Sequence, residues 1–151
     1  TTIEVIAFST AMHSLILLDD NKHPLTRMIT WADNRAKTQA EKLKNSQLGF
    51  HFYQQTGTPI HPMTPLVKIH WLNETQPELT KQVAYYVSIK EYIFFRLFGQ
   101  LVCDYSTASG TGYFDIHQFK WAEEALNYLS ITQEQLPEAS ASHRGARSPN
   151  K

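Results

Sequence analysis

The fold is decided around the stretch from Thr56 to Leu72, which reads TGTPIHPMTPLVKIHWL. Three prolines and one glycine lie in its first ten residues, and they fix several φ angles and forbid a long regular element. We therefore predict a rigid, shaped loop between Gln54 and Pro65. Apolar residues then recur at helical spacing, which predicts a helix from Leu66 to Leu72.

Short strands and helices are predicted on both sides of this stretch. Asp33 is predicted to be the N-cap of a helix that closes at Gly49, and Ser88 with Glu91 matches a capping box. Other predicted strands are Ile3–Ser9, Leu15–Leu18, Met28–Trp31 and Tyr85–Val87. Other predicted helices follow Pro77 or run from Ile89 to Phe98 and from Trp121 to Leu129. This mixture favours an α/β fold.

Composition limits the class of protein. With 151 residues and 42% hydrophobic content, the chain is expected to form one compact unit. Fourteen basic residues balance fourteen acidic ones, which argues against nucleic acid or a membrane as a partner. Cys103 is the single cysteine, and no targeting or membrane-spanning pattern is found, so we expect a cytoplasmic location.

The carboxyl-terminal residues differ from the rest of the chain. Residues 139–151 read ASASHRGARSPNK and include no bulky apolar side chain, so they cannot offset their own ordering entropy. We predict one domain over residues 1–138 and a polar tail over residues 139–151 that is disordered or foreign to that domain.

Two polar clusters could contact a ligand. Ser9 to His13 follows a predicted strand, and His13 could donate to a hydroxyl or a carboxylate; a histidine satisfied by backbone groups is the alternative. Trp31, Asp33 and Arg35 combine an aromatic platform, a carboxylate and a guanidinium, which suit polyols and carboxylates. An N-cap aspartate beside an exposed arginine is the alternative there.

A protein-held metal is not predicted. His13, His61 and His70 show neither i, i+4 spacing nor a zinc pattern. Gly-rich phosphate loops and the G-x-S-x-G nucleophile motif are missing from the sequence as well. The remaining candidates are the loop His61–Met63 and the small, hydroxyl-rich run after Asp104.

Five segments together resemble the FGGY carbohydrate kinases, in order and in spacing. These are FSTAMHSLILLDD (Phe8 to Asp20), ITWADNRA (Ile29 to Ala36), TGTPIHPMTPLVKIHWL (Thr56 to Leu72), SIKEYIFFRLFG (Ser88 to Gly99) and DYSTASGTGYFDI (Asp104 to Ile116). The combination of AMHS, WADNR and GTPIHPM is most similar to the gluconate kinases of that family. The resemblance implies part of an actin-like, ribonuclease H-like ATPase domain.

The resemblance also implies an activity. An enzyme of this kind transfers the γ-phosphoryl group of ATP, with Mg²⁺, to a hydroxyl of a sugar or sugar acid, here gluconate to 6-phosphogluconate. A xylulose or other pentulose kinase is the alternative within the family, and a non-catalytic sugar-binding remnant is the alternative outside it. A homodimer of the intact protein is also expected.

The implied substrate-binding residues are Met12, His13, Trp31, Asp33, Arg35 and Met63. From charge alone, Arg35, His13 or Lys90 would hold the carboxylate of gluconate. Three parts of the family have no counterpart in these 151 residues: the phosphate hairpin, the catalytic-base aspartate and the second domain that binds the nucleotide. No catalytic residue is therefore assigned, and we expect ATP with Mg²⁺ to be bound mainly elsewhere. Asp104 does not align with the base.

Overall fold

The computed structural model describes residues 6–141. Its helices are α1 (Lys37–Lys44), α2 (Gln47–Thr56), α3 (Pro65–Thr75), α4 (Pro77–Thr80), α5 (Ile89–Phe98), α6 (Tyr105–Ser109) and α7 (Glu123–Leu129). A short 3-10 helix covers Gln133–Gln135. The strands are β1 (Ile16–Leu18), β2 (Tyr85–Val87), β3 (Val102–Asp104), β4 (Phe114–Asp115), β5 (Lys120–Trp121) and β6 (Glu138–Ser140).

The strands pair two by two in the described part of the chain. β1 runs antiparallel to β2, β3 runs parallel to β6, and β4 runs antiparallel to β5. Helix α3 lies at the centre of the main core, where its residues Leu66, Val67 and Ile69 are fully buried. Strands and helices that alternate around this main core and a smaller cluster of Ile16, Leu18 and Val87 confirm the predicted α/β class.

Helix ends follow their local sequence. The side chain of Ser88 accepts from the backbone of Lys90, Glu91 accepts from the backbone N–H of Ser88, and the predicted capping box is thereby confirmed. The same helix, α5, ends at Gly99, whose φ of 72° is the left-handed conformation that glycine adopts without strain. Helix α3 begins with Pro65 at its first position, which suits a residue without an N–H.

The predicted helix after Asp33 was wrong at both ends. Asp33 is not the N-cap, because its carboxylate is taken by the backbone and guanidinium of Arg35, and α1 starts four residues later. The helix does not continue to Gly49 either. Ser46 breaks it by donating to the carbonyl of Leu43 and accepting from the N–H of Gly49, so it caps α2 instead.

Other predicted element boundaries also differ from those in the structure. Helix α2 extends to Thr56, so the proline-rich loop is confined to residues 57–64. Trp121 lies in β5 and not in the following helix. The predicted strand Met28–Trp31 is reduced to one bridge between Ile29 and Leu15. In the predicted strand Ile3–Ser9, residues 6–9 form no strand, and residues 1–5 lie outside the described range.

The chain stays ordered beyond the predicted domain boundary. Ala139 and Ser140 belong to β6, where they pair with Cys103 and Asp104, so the disorder predicted from residue 139 does not include them. Pairing with a neighbouring strand compensates for their lack of bulky side chains. Residues 142–151, the rest of the predicted tail, lie outside the described residues. Within residues 6–141, no helix is both long and apolar enough to cross a membrane.

Candidate functional site

The candidate residues lie on loops that meet near the start of α3. The backbone N–H of Leu66 donates to the carbonyl of Thr111 over 2.9 Å, which joins α3 to the loop after α6. The hydroxyl of Thr58 donates to the carbonyl of Ser109, so the proline-rich loop is held against the same segment. Buried α3 is therefore a fixed base for loops that come from distant parts of the sequence.

Met12 and His13 lie against Gly110. The Nδ1 atom of His13 is 2.8 Å from the carbonyl oxygen of Gly110. A Cβ added to Gly110 would lie 2.5 Å from the Met12 methyl and 3.4 Å from the His13 ring, so this position has room only for glycine unless Met12 moves. The structure thus brings together the Met12–His13 loop and the small-residue run that follows Asp104.

The protonation state of His13 follows from these contacts. Burial lowers the pKa of His13 below its usual value, so the ring is neutral at pH 7. Because a carbonyl only accepts, Nδ1 must carry the proton of the neutral ring. Nε2 is then a hydrogen-bond acceptor, which suits a sugar hydroxyl and does not suit a carboxylate. Of the two roles predicted for His13, this geometry favours contact with a hydroxyl.

Asp33 and Arg35 form a bidentate ion pair. Nε of Arg35 donates to Oδ1 of Asp33 over 3.0 Å, and Nη2 of Arg35 donates to Oδ2 over 2.7 Å. The hydrogen bond from Arg35 lowers the pKa of Asp33, and Asp33 raises the pKa of Arg35, so both are charged at neutral pH. The guanidinium lies 4.5 Å from the centre of the Trp71 ring. The pair and the ring fix the orientation of Arg35, while its side chain remains 54% exposed.

Trp31 and Met63 both lie on loops that precede α3 in the sequence. Trp31 is 59% exposed and lies in the turn that leads to Asp33. Met63 is partly buried, and its backbone N–H donates to Nδ1 of His61 over 3.2 Å. His61 lies close enough to His13 to influence its pKa. The proline-rich loop and the His13 loop therefore face the same region.

Lys90 is engaged elsewhere. Its ammonium donates to the Asp104 carboxylate at 2.5 Å, and Asp104 also accepts from the backbone and hydroxyl of Thr107 at the start of α6. Burial alone would raise the pKa of Asp104, but these hydrogen bonds outweigh it and lower the pKa. Lys90 and Asp104 thus act as a structural pair, which leaves Arg35 as the better carboxylate candidate.

Sequence reasoning missed Lys68 at this site, and it singled out Gly110 only as part of the small-residue run after Asp104. Lys68 is 1% exposed, and its ammonium donates to the carbonyls of His13 and Thr30. Its signal was visible in the sequence, because a lysine between Val67 and Ile69 interrupts an apolar helical run. The composition of that run did not indicate which segment it would contact, because the close approach of Gly110 to Met12 arises from the packing of two distant loops.

The site is an open surface and not an enclosed cavity. The cavity beside His13, bounded also by Glu91 and Tyr113, measures about 20 Å³, which holds about one water molecule. A larger open cleft of about 510 Å³ lies between α1 and residues 60–62. Among the described residues, no group of three or more His, Cys, Asp or Glu side chains could hold a metal ion, so no magnesium ligand is assigned to them.

Comparison with known proteins assigns the family. The family model for the FGGY family of carbohydrate kinases, N-terminal domain, matches residues 1–147. The chain is 48% identical over 134 residues to a gluconokinase of Bacillus subtilis, covering 89% of this chain and 26% of that protein. It is 35% identical over 133 residues to a xylulose kinase of Lactococcus lactis, covering 88% and 26%. The chain thus spans about a quarter of the length of the curated relatives it matches.

Solved structures agree with the sequence comparison. The gluconate kinase of Lactobacillus acidophilus matches with a TM-score of 0.90 and 42% identity, over 93% of this chain and 28% of that one. The ligand-bound xylulose kinase of the same organism matches with a TM-score of 0.85 and 43% identity, over 87% and 27%. The expected actin-like ATPase fold is confirmed. By family model and by fold, this chain belongs to the FGGY family of carbohydrate kinases and represents part of their N-terminal domain.

Proposed function

We propose that the whole protein containing this chain transfers the γ-phosphoryl group of ATP to a hydroxyl of gluconate and forms 6-phosphogluconate. The single observation that carries this proposal is the 48% identity with the Bacillus subtilis gluconokinase, against 35% with a Lactococcus lactis xylulose kinase. That comparison covers most of this chain, which contributes one side of the sugar site.

Arg35 is the proposed contact for the carboxylate of gluconate. A guanidinium carries five N–H donors, and Arg35 uses its Nε and one hydrogen of Nη2 on Asp33. Its other N–H groups can therefore meet a second carboxylate in the planar geometry that arginine favours. Orientation by Asp33 and Trp71 reduces the entropy lost when the substrate binds.

His13 is the proposed contact for a sugar hydroxyl, through its unprotonated Nε2 atom. Trp31 would form an aromatic wall, and Met12 and Met63 would contact the carbon chain between the hydroxyls. The exposure of Trp31 and Met12, at 59% and 42%, supports this assignment, because apolar side chains that face solvent are available to a ligand.

ATP and magnesium are proposed to be bound mainly by parts of the whole protein outside residues 6–141. Transfer of this kind depends on positioning and on neutralising charge at the phosphates. This chain's own contribution is to orient the sugar hydroxyl, and we derive no step through the metal. We also propose a cytoplasmic location, supported by the use of a single cysteine, Cys103, which is free and buried. The predicted homodimer remains a prediction.

A xylulose kinase is the second candidate. One observation favours it: the xylulose kinase of Lactobacillus acidophilus is as similar in sequence, at 43%, as the gluconate kinase of the same organism, at 42%. Nothing in the described residues specifically favours a non-catalytic sugar-binding remnant, and an assay of the whole protein distinguishes it from a kinase.

The test is an ATP-coupled assay of the whole protein with gluconate, xylulose and glycerol offered separately. We expect a clear preference for gluconate in kcat/KM. Activity with xylulose alone would show that the proposed substrate is wrong and that the proposed class of enzyme, a carbohydrate kinase, is right. Activity with none of the three, in a protein that is folded and binds ATP, would reject the proposal and favour the remnant.

A further inference from the structure

Lys68 carries a charge in the apolar centre of the domain. It lies in the first turn of α3 between Val67 and Ile69, both fully buried, and is itself only 1% exposed. Burying an ammonium group is costly unless hydrogen bonds compensate for the lost water. Its Nζ atom donates to the carbonyl of His13 and, over 2.8 Å, to the carbonyl of Thr30. These two carbonyls are what keeps the charge in place.

The two carbonyls belong to two different loops of the sugar site. His13 lies 55 residues before Lys68 in the sequence, and Thr30 lies 38 residues before it. Thr30 directly precedes Trp31 and the Asp33–Arg35 pair. One ammonium group therefore connects the loop proposed to contact sugar hydroxyls with the loop proposed to contact the carboxylate.

The backbone at His13 needs such support. Its φ of 60° lies in the left-handed region, which is strained for a residue with a side chain and persists only where neighbouring groups hold it. The ammonium of Lys68 donates to the backbone carbonyl of His13, and the carbonyl of Gly110 accepts from Nδ1 of the His13 ring. The direction of Nε2 is thus fixed by two contacts from two other elements.

We infer that Lys68 is a positioning residue for the sugar site, which holds the Met12–His13 loop and the Trp31–Arg35 loop in register without contacting the sugar itself. This inference rests on the proposed function for its kinetic consequence. The geometric part, that Lys68 sets the conformation of His13, stands independently and has its own measurement.

The charge on Lys68 gives a second readout. Burial lowers the pKa of Lys68 from 10.5 to about 8, while the nearby Asp33 carboxylate acts in the opposite direction. The other titratable groups in this region are His13 and His61, and the pKa of His13 is already lowered. Above pH 8 a neutral amine still carries two hydrogens, but it donates weaker bonds than an ammonium does. The loops should then be held less firmly.

The kinetic experiment uses Lys68→Met in the whole protein, with Lys81→Met as the matched control. Lys81 is a surface lysine, whose ion pair with Glu78 is exposed. In K68M we expect the KM for gluconate to rise about tenfold or more, the change that corresponds to one lost charge-assisted hydrogen bond. The KM for ATP should stay within about twofold, and K81M should match wild type.

The pH dependence is measured first on the wild type and then on two variants. In the wild type, the KM for gluconate should rise as the pH increases through about 8, because Lys68 then loses its charge. K68M should lack this rise. Lys68→Gln, whose amide has two N–H groups and no charge, should fall between wild type and K68M at pH 7. If K68M fails to fold, K68Q and the wild-type pH profile still test the inference.

The structural experiment is independent of activity. Nitrogen-15 NMR of His13, assigned by H13A, should show Nδ1 protonated in the wild type, and the preference for this tautomer should weaken in K68M. An unchanged His13 spectrum, or equal increases in both KM values, would overturn the positioning role. An inactive wild type with an altered His13 spectrum in K68M would reject the proposed function and keep the geometric part of the inference, that Lys68 sets the conformation of His13.

Discussion

Replacing Gly110 by alanine tests whether Met12 and His13 form part of the sugar site. The added Cβ would lie 2.5 Å from the methyl group of Met12, whereas carbon atoms in ordinary contact are ~3.5–4.0 Å apart. Met12 must therefore move by about 1 Å or more. Its side chain is flexible and 42% exposed, so the movement is possible without disturbing the core.

The fold should tolerate this change. Gly110 has a φ of −81°, which an alanine adopts without strain, and no backbone atom lies closer than 3.6 Å to the added group. Thermal stability should therefore be unchanged or slightly increased, because alanine has less freedom in the unfolded chain. Displacing a substrate contact by about 1 Å can cost up to ~100-fold in rate. We expect kcat/KM for gluconate to fall about 10- to 100-fold.

The assay is the ATP-coupled reaction of the whole protein, with a thermal melt of each variant beside it. Met12→Ala provides the matched control, because it removes the atom that the new Cβ would strike. The double variant M12A/G110A should therefore be no worse than M12A alone. Sugar kinetics of G110A within about twofold of wild type would refute the placement of Met12 in the site.

Three further predictions follow from individual contacts. Arg35→Lys keeps the charge but loses the planar fork, so kcat/KM for gluconate should fall about tenfold while that for neutral xylulose changes little; equal losses would contradict the carboxylate assignment. Gly112→Ala places a Cβ 2.9 Å from the buried Leu66 at a φ of +86°, whereas Gly99→Ala is strained but meets no atom within 4 Å. Thermal melts should therefore rank G112A below G99A, and the reverse order would contradict the packing. The protonation of Lys68 can be followed by carbon-13 NMR of its Cε atom in lysine-labelled protein, where the signal is assigned by its loss in K68M. The signal should titrate at about pH 8, because burial disfavours the charged form. A midpoint above pH 10 would contradict the burial of Lys68.

Elements governed by local interactions were predictable. The capping box of Ser88 and Glu91, the helix that it opens and the helix from Leu66 to Leu72 depend on neighbours within four residues, and all three are confirmed. The prediction that Asp33 is an N-cap was wrong, although the groups that it binds instead, the backbone N–H and the guanidinium of Arg35, are also local. Arg35 offers it a charged, bidentate partner, which is stronger than a neutral backbone cap.

Pairing between distant segments could not be predicted in the same way. Ala139 and Ser140 have little tendency to order alone, yet they form β6 because β3 lies beside them. Ile29 has the residue type of a strand, but it makes only one bridge, to Leu15, and a turn begins two residues later at Trp31. A strand exists only where a second segment supplies its hydrogen bonds, and a pattern within one segment does not identify the other.

The sequence by itself determined the family, the α/β class and the identity of the proposed substrate-binding residues, because motif order and local patterns are properties of the chain. Only the tertiary structure decided how those residues work: the tautomer of His13, the pairing of Arg35 with Asp33, the engagement of Lys90 with Asp104, and the contact of Lys68 with two loops. The physical reason is that protonation and orientation depend on burial and on partners up to 97 residues away, which come together only when the core has formed.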